Sequence, residues 1–323
     1  MASIEFSGDE RDTLIGAAIW APSMLNTQPW RFRLHGHRIE VHRDLMRELP
    51  ASDPEQRMAL ISAGAVVFNV RVAAASLGYD VASTIEPGAE NTLVAALTLT
   101  RRTSSGQPSL AVLHPFVATR RTNRQPFDAS VVPTSIREQL STAASSEGAV
   151  LEWIDDPNRR WWLLRLKTDA DLDDAVDSDR IAERRKWVGG DRDRDGIPSR
   201  SLGPKAVRLS SPVRDLAADH ADLRRPSARF EESADLALLS TSHDSRADWV
   251  VAGQALQHVL LVATSVGVST SLLSEAMEHK DLRWLGRNPL GHWLEPQTMI
   301  RFGYGPQVPA TPRRPVAEFM ITD

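Results

Sequence analysis

Two stretches align without a gap, AGAVVFNVRVAAASLG at residues 63–78 and AGQALQHVLLVATSVG at residues 252–267. They are identical at Ala63/Ala252, Gly64/Gly253, Val70/Val259, Ala74/Ala263, Ser76/Ser265 and Gly78/Gly267. Each is apolar over several helical turns and closes on glycine, the residue that ends helices at least cost. An internal repeat and a coincidence of composition both produce this pattern, so the flanking sequence has to be read as well.

Ser7 and Glu10 form a capping box for a first helix with Leu14, Ala17, Ala18 and Ile19 on one side, stopped by Pro22. Trp30, Phe32 and Leu34 alternate with Arg31, Arg33 and His35, which predicts a half-buried strand. Gly36 turns the chain, and Ile39 and Val41 continue the alternation on a partner. A helix is expected over 56–78 and a strand over Leu93–Leu99. The polar run Arg101–Pro108, with Gly106 and Pro108, reads as a linker. Beyond it come a helix around Ser135–Ala144, a strand at Leu236–Leu239, a helix over Asp248–Val266 and a strand over Thr298–Tyr304. Residues 155–205 look least regular, dense in Asp and Arg. Pro306, Pro309, Pro312 and Pro315 fix an extended tail.

Composition narrows the function. The 323 residues are 41% hydrophobic and 25% charged, as in an ordinary globular protein. The absence of Cys excludes disulfides, thiolate metal sites, iron–sulfur clusters and a catalytic thiol. A formal charge of −4 gives no reason to expect nucleic acid. The apolar run Val259–Val268 is too short to span a bilayer, so no membrane is expected. Glu5, Asp9 and Glu10 precede any basic residue, unlike a signal peptide, and a cytoplasmic location is expected. Four of the 38 basic residues are Lys, so position rather than abundance must single out a functional Arg.

Several motifs fail. Asp191, Asp193, Asp195 and Gly196 start like a calcium loop, but Leu202 stands where the closing Glu belongs. His35, His37 and His42 show no metal-site spacing, and no metal is assigned. No P-loop, nucleophile elbow or glycine fingerprint after a strand occurs. No catalytic acid or base stands out.

Three segments remain. Ala21–Trp30 (APSMLNTQPW) is a polar loop held between two prolines, with Ser23, Asn26 and Gln28 as donors and acceptors. Arg120-Arg121-Thr122-Asn123-Arg124, followed by Pro126 and Phe127, is either a solvated surface or an anion site. Pro312-Arg313-Arg314-Pro315 offers the same two readings on the stiff tail.

Together with the helix Asp248–Gly267, the Gly303-Tyr304-Gly305 strand end and Thr311–Pro315, these residues resemble the FMN-dependent nitroreductase superfamily, and within it the fused, Acg-type FMN-binding branch. The resemblance runs over nearly the whole chain. It implies an α+β, nitroreductase-like fold of two fused halves, 1–108 and 109–323, forming an internal pseudo-dimer of antiparallel or mixed sheets flanked by helices. Residues 155–205 would be a lid. In ordinary members two subunits share each flavin, so a fused chain can work as a monomer.

The resemblance also implies the site. Arg120, Arg121 and Arg124 would meet the FMN phosphate and the polar edge of the ring, Thr122 would add a hydroxyl, and Arg313 or Arg314 would close the phosphate site. Pro22, Ser23, Met24 and Asn26 would line the isoalloxazine, with Gln28 in the same loop. Leu273, Ser274 and Glu275 would approach the flavin's N5 edge. Leu25 stands where Acg-type relatives often carry His. Trp161, Trp162 and Trp187 would cap the ring or pack within their own half. The implied activity is NAD(P)H-dependent reduction of nitroaromatics or quinones, and the alternative is FMN storage under a lid. One FMN per chain is expected. No Arg cluster precedes the first half's loop, and the comparable loop Ile197–Ser201 lacks the Asn.

Overall fold

The two aligned stretches lie within α2 (Arg57–Ser76) and α7 (Arg246–Ser265), which cross at the centre of the computed structural model. They cross at the matched glycines. A Cβ on Gly64 would lie 2.9 Å from the Cα of Gly253 and closer still to the Val250 carbonyl. A Cβ on Gly253 would meet Gly64 at 2.9 Å and press on the Ile61 carbonyl. Ile61 and Val250 stand at equivalent positions, so each helix meets the other through the same residues. Only glycine lets two backbones come this close.

The structure describes residues 6–88, 91–103, 110–208, 210–217, 224–232, 234–288 and 293–321. Around α2 stand α1 (Gly8–Ala18), β1 (Trp30–His35), β2 (Arg38–Arg43), β3 (Tyr79–Ile85) and β4 (Leu93–Arg101). After α3 (His114–Val117) come α4 (Thr134–Ser146), β5 (Val150–Trp153), α5 (Pro157–Val176) and α6 (Ser178–Trp187). The two-residue strands β6 (Lys205–Ala206) and β7 (Ser227–Ala228) follow, then β8 (Asp235–Thr241), α7, β9 (Ser269–Leu273), α8 (Glu275–Glu278), α9 (Lys280–Leu285) and β10 (Glu295–Gly303).

The strands form two four-stranded sheets, β1-β2-β4-β3 and β5-β8-β10-β9. The order α4, β5, β8, α7, β9, β10 repeats α1, β1, β2, α2, β3, β4, with the same position for each strand in its sheet. All strand pairings within the two four-stranded sheets are antiparallel; among the described residues parallel pairing occurs in the small β6–β7 and in single bridges that include Phe32–Met320 on β1 and Thr122–Thr270 on β9. The Ser7 capping box starts α1, with Ser7 N donating to Glu10 Oε2 at 2.9 Å. Trp30 and Phe32 point into the core from β1, as their alternation requires.

One hydrophobic core runs through both halves, from Leu14 and Phe32 through Val66 and Leu260 to Ile300. Helix α2 is apolar on all sides because it is enclosed on all sides. By length and composition it could cross a membrane, but 94% of its apolar window is buried within the fold.

Residues 155–205 are not irregular. Helices α5 and α6 occupy most of them, capped by Asp156 and Asp177. Leu163, Leu166 and Ala170 form a narrow apolar stripe, diluted in the sequence by a wide charged face. This region opens a long insertion, residues 154–234, between β5 and β8. Their counterparts β1 and β2 are joined only by Gly36 and His37. Of the expected linker, Arg101 ends β4 and residues 104–108 lie outside the described residues.

Candidate functional site

Helix α1 ends at Ala18, and residues 19–29 lead into β1 by a strained path. Leu25, Asn26 and Gln28 adopt φ of 50°, 56° and 54°, a left-handed region that side chains with a Cβ rarely enter. Such strain persists only where surrounding contacts enforce it. Here the contacts are explicit. Ser23 Oγ accepts from Gln28 N at 3.0 Å. Asn26 Nδ2 donates to the carbonyls of Gly196 (2.8 Å) and Pro312 (3.1 Å). Gln28 Nε2 donates to Arg194 O at 3.0 Å, and Gln28 Oε1 accepts from Arg314 N at 3.0 Å.

This loop forms one wall of a cleft whose empty space, mouth included, is about 1180 Å³. Met58, Ile61, Ser62 and Ala65 supply the floor from one face of α2, and Leu272 and Ser274 border it at β9. The cleft brings together Pro22, Ser23, Met24, Asn26, Arg120, Arg121, Thr122, Arg124, Ser274 and Arg313. Those ten residues come from segments as far apart as residues 22 and 313.

Six guanidiniums line the cleft (Arg120, Arg121, Arg124, Arg200, Arg214, Arg313), and no carboxylate does among the described residues. Arg120 is the least satisfied. Its Nε and Nη1 are buried without a partner, and Nη2 reaches only Trp20 O at 3.5 Å. Burial, then Arg121 and Arg124, pushes its pKa down to about 10. Arg124 gives Nη1 to Ser201 O at 3.2 Å; burial and Arg214 lower its pKa to about 10. Thr122 and Asn123 are fastened to the edge of β9, Asn123 N donating to Thr270 O at 2.7 Å. Phe127 fills the space beside Gly303 and Gly305, where a Cβ would approach its ring to 2.6 and 2.7 Å. That packing accounts for the glycine that ends β10 and the one two residues beyond it.

Arg313 does different work. Its Nε donates to Ile19 O at 2.6 Å and Nη2 to Trp20 O and Ala21 O, so it gathers the three carbonyls that follow α1. Its Nη1 holds Asn26 Oδ1 and Thr311 Oγ1, each at 2.9 Å. It borders the cleft while its three nitrogens serve the scaffold.

Four expected residues lie off the cleft wall. Gln28 is fully buried behind the loop. Arg314 Nη2 turns to Gln28 O at 2.9 Å and its guanidinium sits over Phe319, so it clamps the loop from outside. Leu273 points into a separate apolar cluster with Leu163 and Met277, because strand side chains alternate and Leu272 faces the cleft. Glu275 is fully buried behind Ser274.

The tryptophans do not cap this cleft. Trp162 borders a different cavity with Trp153, Trp284 and Trp293, Trp161 is exposed, and Trp187 packs near Leu25 beneath Arg47. The cover comes instead from Ile197, Arg200 and Ser201, with Arg214 and Leu216. Leu25 belongs to this contact, in a cluster with Ile197 and Leu216. The loop Ile197–Ser201 therefore serves the same cleft as Pro22–Asn26. The α2 face was missed because Met58, Ile61 and Ala65 read simply as core; Ser62 in an apolar helix was the available signal. Asp191 and Asp195 of the failed calcium motif pair with Arg200 and Arg47.

No family model matches the chain. A Mycobacterium tuberculosis protein named "Putative NAD(P)H nitroreductase acg" is 31% identical over 304 residues, covering 92% of this chain and 91% of the relative. A second protein of that organism, named "Putative NAD(P)H nitroreductase Rv3131", is 28% identical over 313 residues, covering 95% and 89%. The FMN-dependent nitroreductase NfnB of Mycobacterium smegmatis, solved in complex with NADPH, shares 15% identity at a TM-score of 0.42, covering 67% of this chain and all of its own. Nearly full-length identity of 31% to Acg decides the family: the chain belongs to the nitroreductases, in their Acg-type branch.

Proposed function

We propose that the cleft binds one FMN and that the protein is an NAD(P)H-dependent oxidoreductase that reduces small nitroaromatic or quinone acceptors. The observation that carries this reading is Arg120, a buried cation with two unpartnered donors on a wall without a described carboxylate. An uncompensated buried charge is costly unless a ligand completes it, and a phosphate dianion supplies the matching acceptors. The residues present fit that group. Arg120 and Thr122 would hold the phosphate, with Arg121 adding charge and Arg313 keeping the α1 end in place. Arg124, with one hydrogen bond of its own, would meet the polar edge of the ring. Pro22, Ser23, Met24 and Leu25, with Met58 and Ile61, give this part of the cleft a largely apolar lining suited to a ring system. Bound FMN supplies the hydride and electron transfer; the chain orients it and limits water.

One observation favours storage as a second reading. The insertion is stitched down over the loop by Asn26–Gly196, Gln28–Arg194, Arg47–Asp195 (2.8 Å) and the Arg194–Glu318 pair. A cover so tied would keep acceptors from the ring. We further propose that halves 1–108 and 109–323 descend from one duplicated unit, so that a monomer suffices, and that the protein works in the cytoplasm.

Anaerobic addition of NADPH to the yellow, FMN-loaded protein separates the readings. Bleaching within seconds is expected of the enzyme; colour that persists with NADPH yet bleaches with dithionite identifies the store. A colourless protein that takes up no FMN overturns both.

A further inference from the structure

Glu275, the first residue of α8, has no solvent exposure, and neither carboxyl oxygen has a hydrogen-bond partner among the described residues. Its neighbour Ser274 lies on the cleft wall. Four elements surround it electrostatically. Arg124 and Arg214, on two cleft-lining segments, act on it through their charge, and α5 supplies Lys167 and Asp171, paired with each other at 2.6 Å. On its own helix, Glu278 is taken up by Arg214 Nη2 at 2.8 Å and Ser274 Oγ at 2.7 Å.

A carboxylate with no donor is disfavoured by burial, while Arg214, Lys167 and Arg124 favour its charge. Burial dominates and raises its pKa to about 7. Two of the three opposing cations face the cleft. An anion seated there would compete for their field and add its own repulsion, and both changes favour the neutral carboxyl.

We infer that Glu275 is the proton-uptake group of the cleft: when an anionic ligand docks on the cationic wall that includes Arg124 and Arg214, the Glu275 carboxylate takes one proton from solvent. The step forms one O–H bond, breaks no bond within protein or ligand, and transfers no electrons. It rests on the FMN reading above only for the choice of ligand.

Calorimetric titration of FMN into ligand-free protein at pH 7.5, in buffers of low and high ionisation heat, counts the protons. The wild-type count should exceed that of Glu275→Gln by a few tenths of a proton; the subtraction removes protons exchanged by the FMN phosphate. Wild-type affinity should also fall as pH rises from 6.5 to 8.5, by at most tenfold per unit, and that component should vanish in Glu275→Gln. Difference infrared spectra of the wild type should gain a buried carboxylic-acid band on loading, which needs no variant. Equal proton counts, or no such band, overturn the inference. Inorganic pyrophosphate, which needs only the cationic wall, is the second probe. Proton uptake with pyrophosphate but no binding of FMN breaks the functional reading alone, and pyrophosphate binding without the proton difference breaks this one.

Discussion

The α1–β1 connection and the α4–β5 connection join equivalent elements and differ in what they build. The first, residues 19–29, is the strained loop that walls the cleft. The second is the three residues 147–149, a tight turn through Gly148 at φ 85°. Where the first half opens a cavity, the second closes on a polar cluster. Arg71 pairs with Glu147 and donates to Gln254 Oε1 at 2.9 Å, and His258 reaches Glu147 at 3.3 Å while stacking on Phe68. Gln254 is the counterpart of the cleft residue Ala65 in the aligned helices. Repeating a scaffold therefore does not repeat a site, because the site is carried by loops and insertions. The same contrast holds at β5–β8, where the insertion 154–234 replaces a two-residue turn.

The largest test strikes what the halves share. Gly64→Ala or Gly253→Ala forces a Cβ into the opposing backbone and should cost about 3 kcal/mol or more by urea denaturation. Gly16→Ala on α1, with nothing within 4 Å, should instead stabilise by about 1 kcal/mol. Equal effects would deny that the glycines define the crossing.

The next test strikes what only the second half has. Asp174 on α5 collects Arg180 at 2.7 Å, His279 at 3.0 Å and Arg214 at 3.8 Å, tying the insertion to the cleft wall. Asp174→Ala should cost about 3 kcal/mol, seen as faster proteolysis within 188–217. Burial alone would raise this carboxyl's pKa, but His279, Arg214 and Arg180 outweigh it and hold it well below the carboxylate range. A depressed pKa gives stability that is full above pH 4 and lost as pH falls further. Acid should therefore loosen the wild-type insertion, and the variant should have lost that dependence.

A smaller effect is expected at the cleft itself. Arg124→Ala should weaken FMN binding by about 1.5–3 kcal/mol, roughly 10- to 150-fold, with the fold intact. Glu147→Gln, in the short connection that is the counterpart of the cleft loop, should leave FMN affinity unchanged. A matching loss in both would mean that the halves are functionally alike. The least perturbing test is a count: a dilute, monomeric sample should retain one FMN per chain, and a ratio near two would erase the asymmetry.

Much of this was legible in the residues. The Ser7 box, the Trp30–His35 alternation and the matched glycines are local signals, and each leads to the element it predicts. The cleft's segments were legible as oddities: a loop between prolines and two short runs of Arg. Direction was not. Arg313 and Arg314 are adjacent, yet one gathers the carbonyls just past α1 from the cleft side and the other clamps Gln28 from behind. Helices α5 and α6 were hidden because a charged face dilutes a narrow apolar stripe, and β9 because five residues give too short a period to count.

By itself the sequence determined many of the helices and strands, the likeness of two long helices and the clustering of Arg in two short segments. Those follow from periodicity, capping and charge, which act over a few residues. Tertiary structure decided which donors stay unpartnered, which Arg is scaffold and which faces the cleft, and that Glu275 lies buried beside two of those cations. Those properties depend on what lies across a gap from segments tens to hundreds of residues away, and no local pattern encodes them.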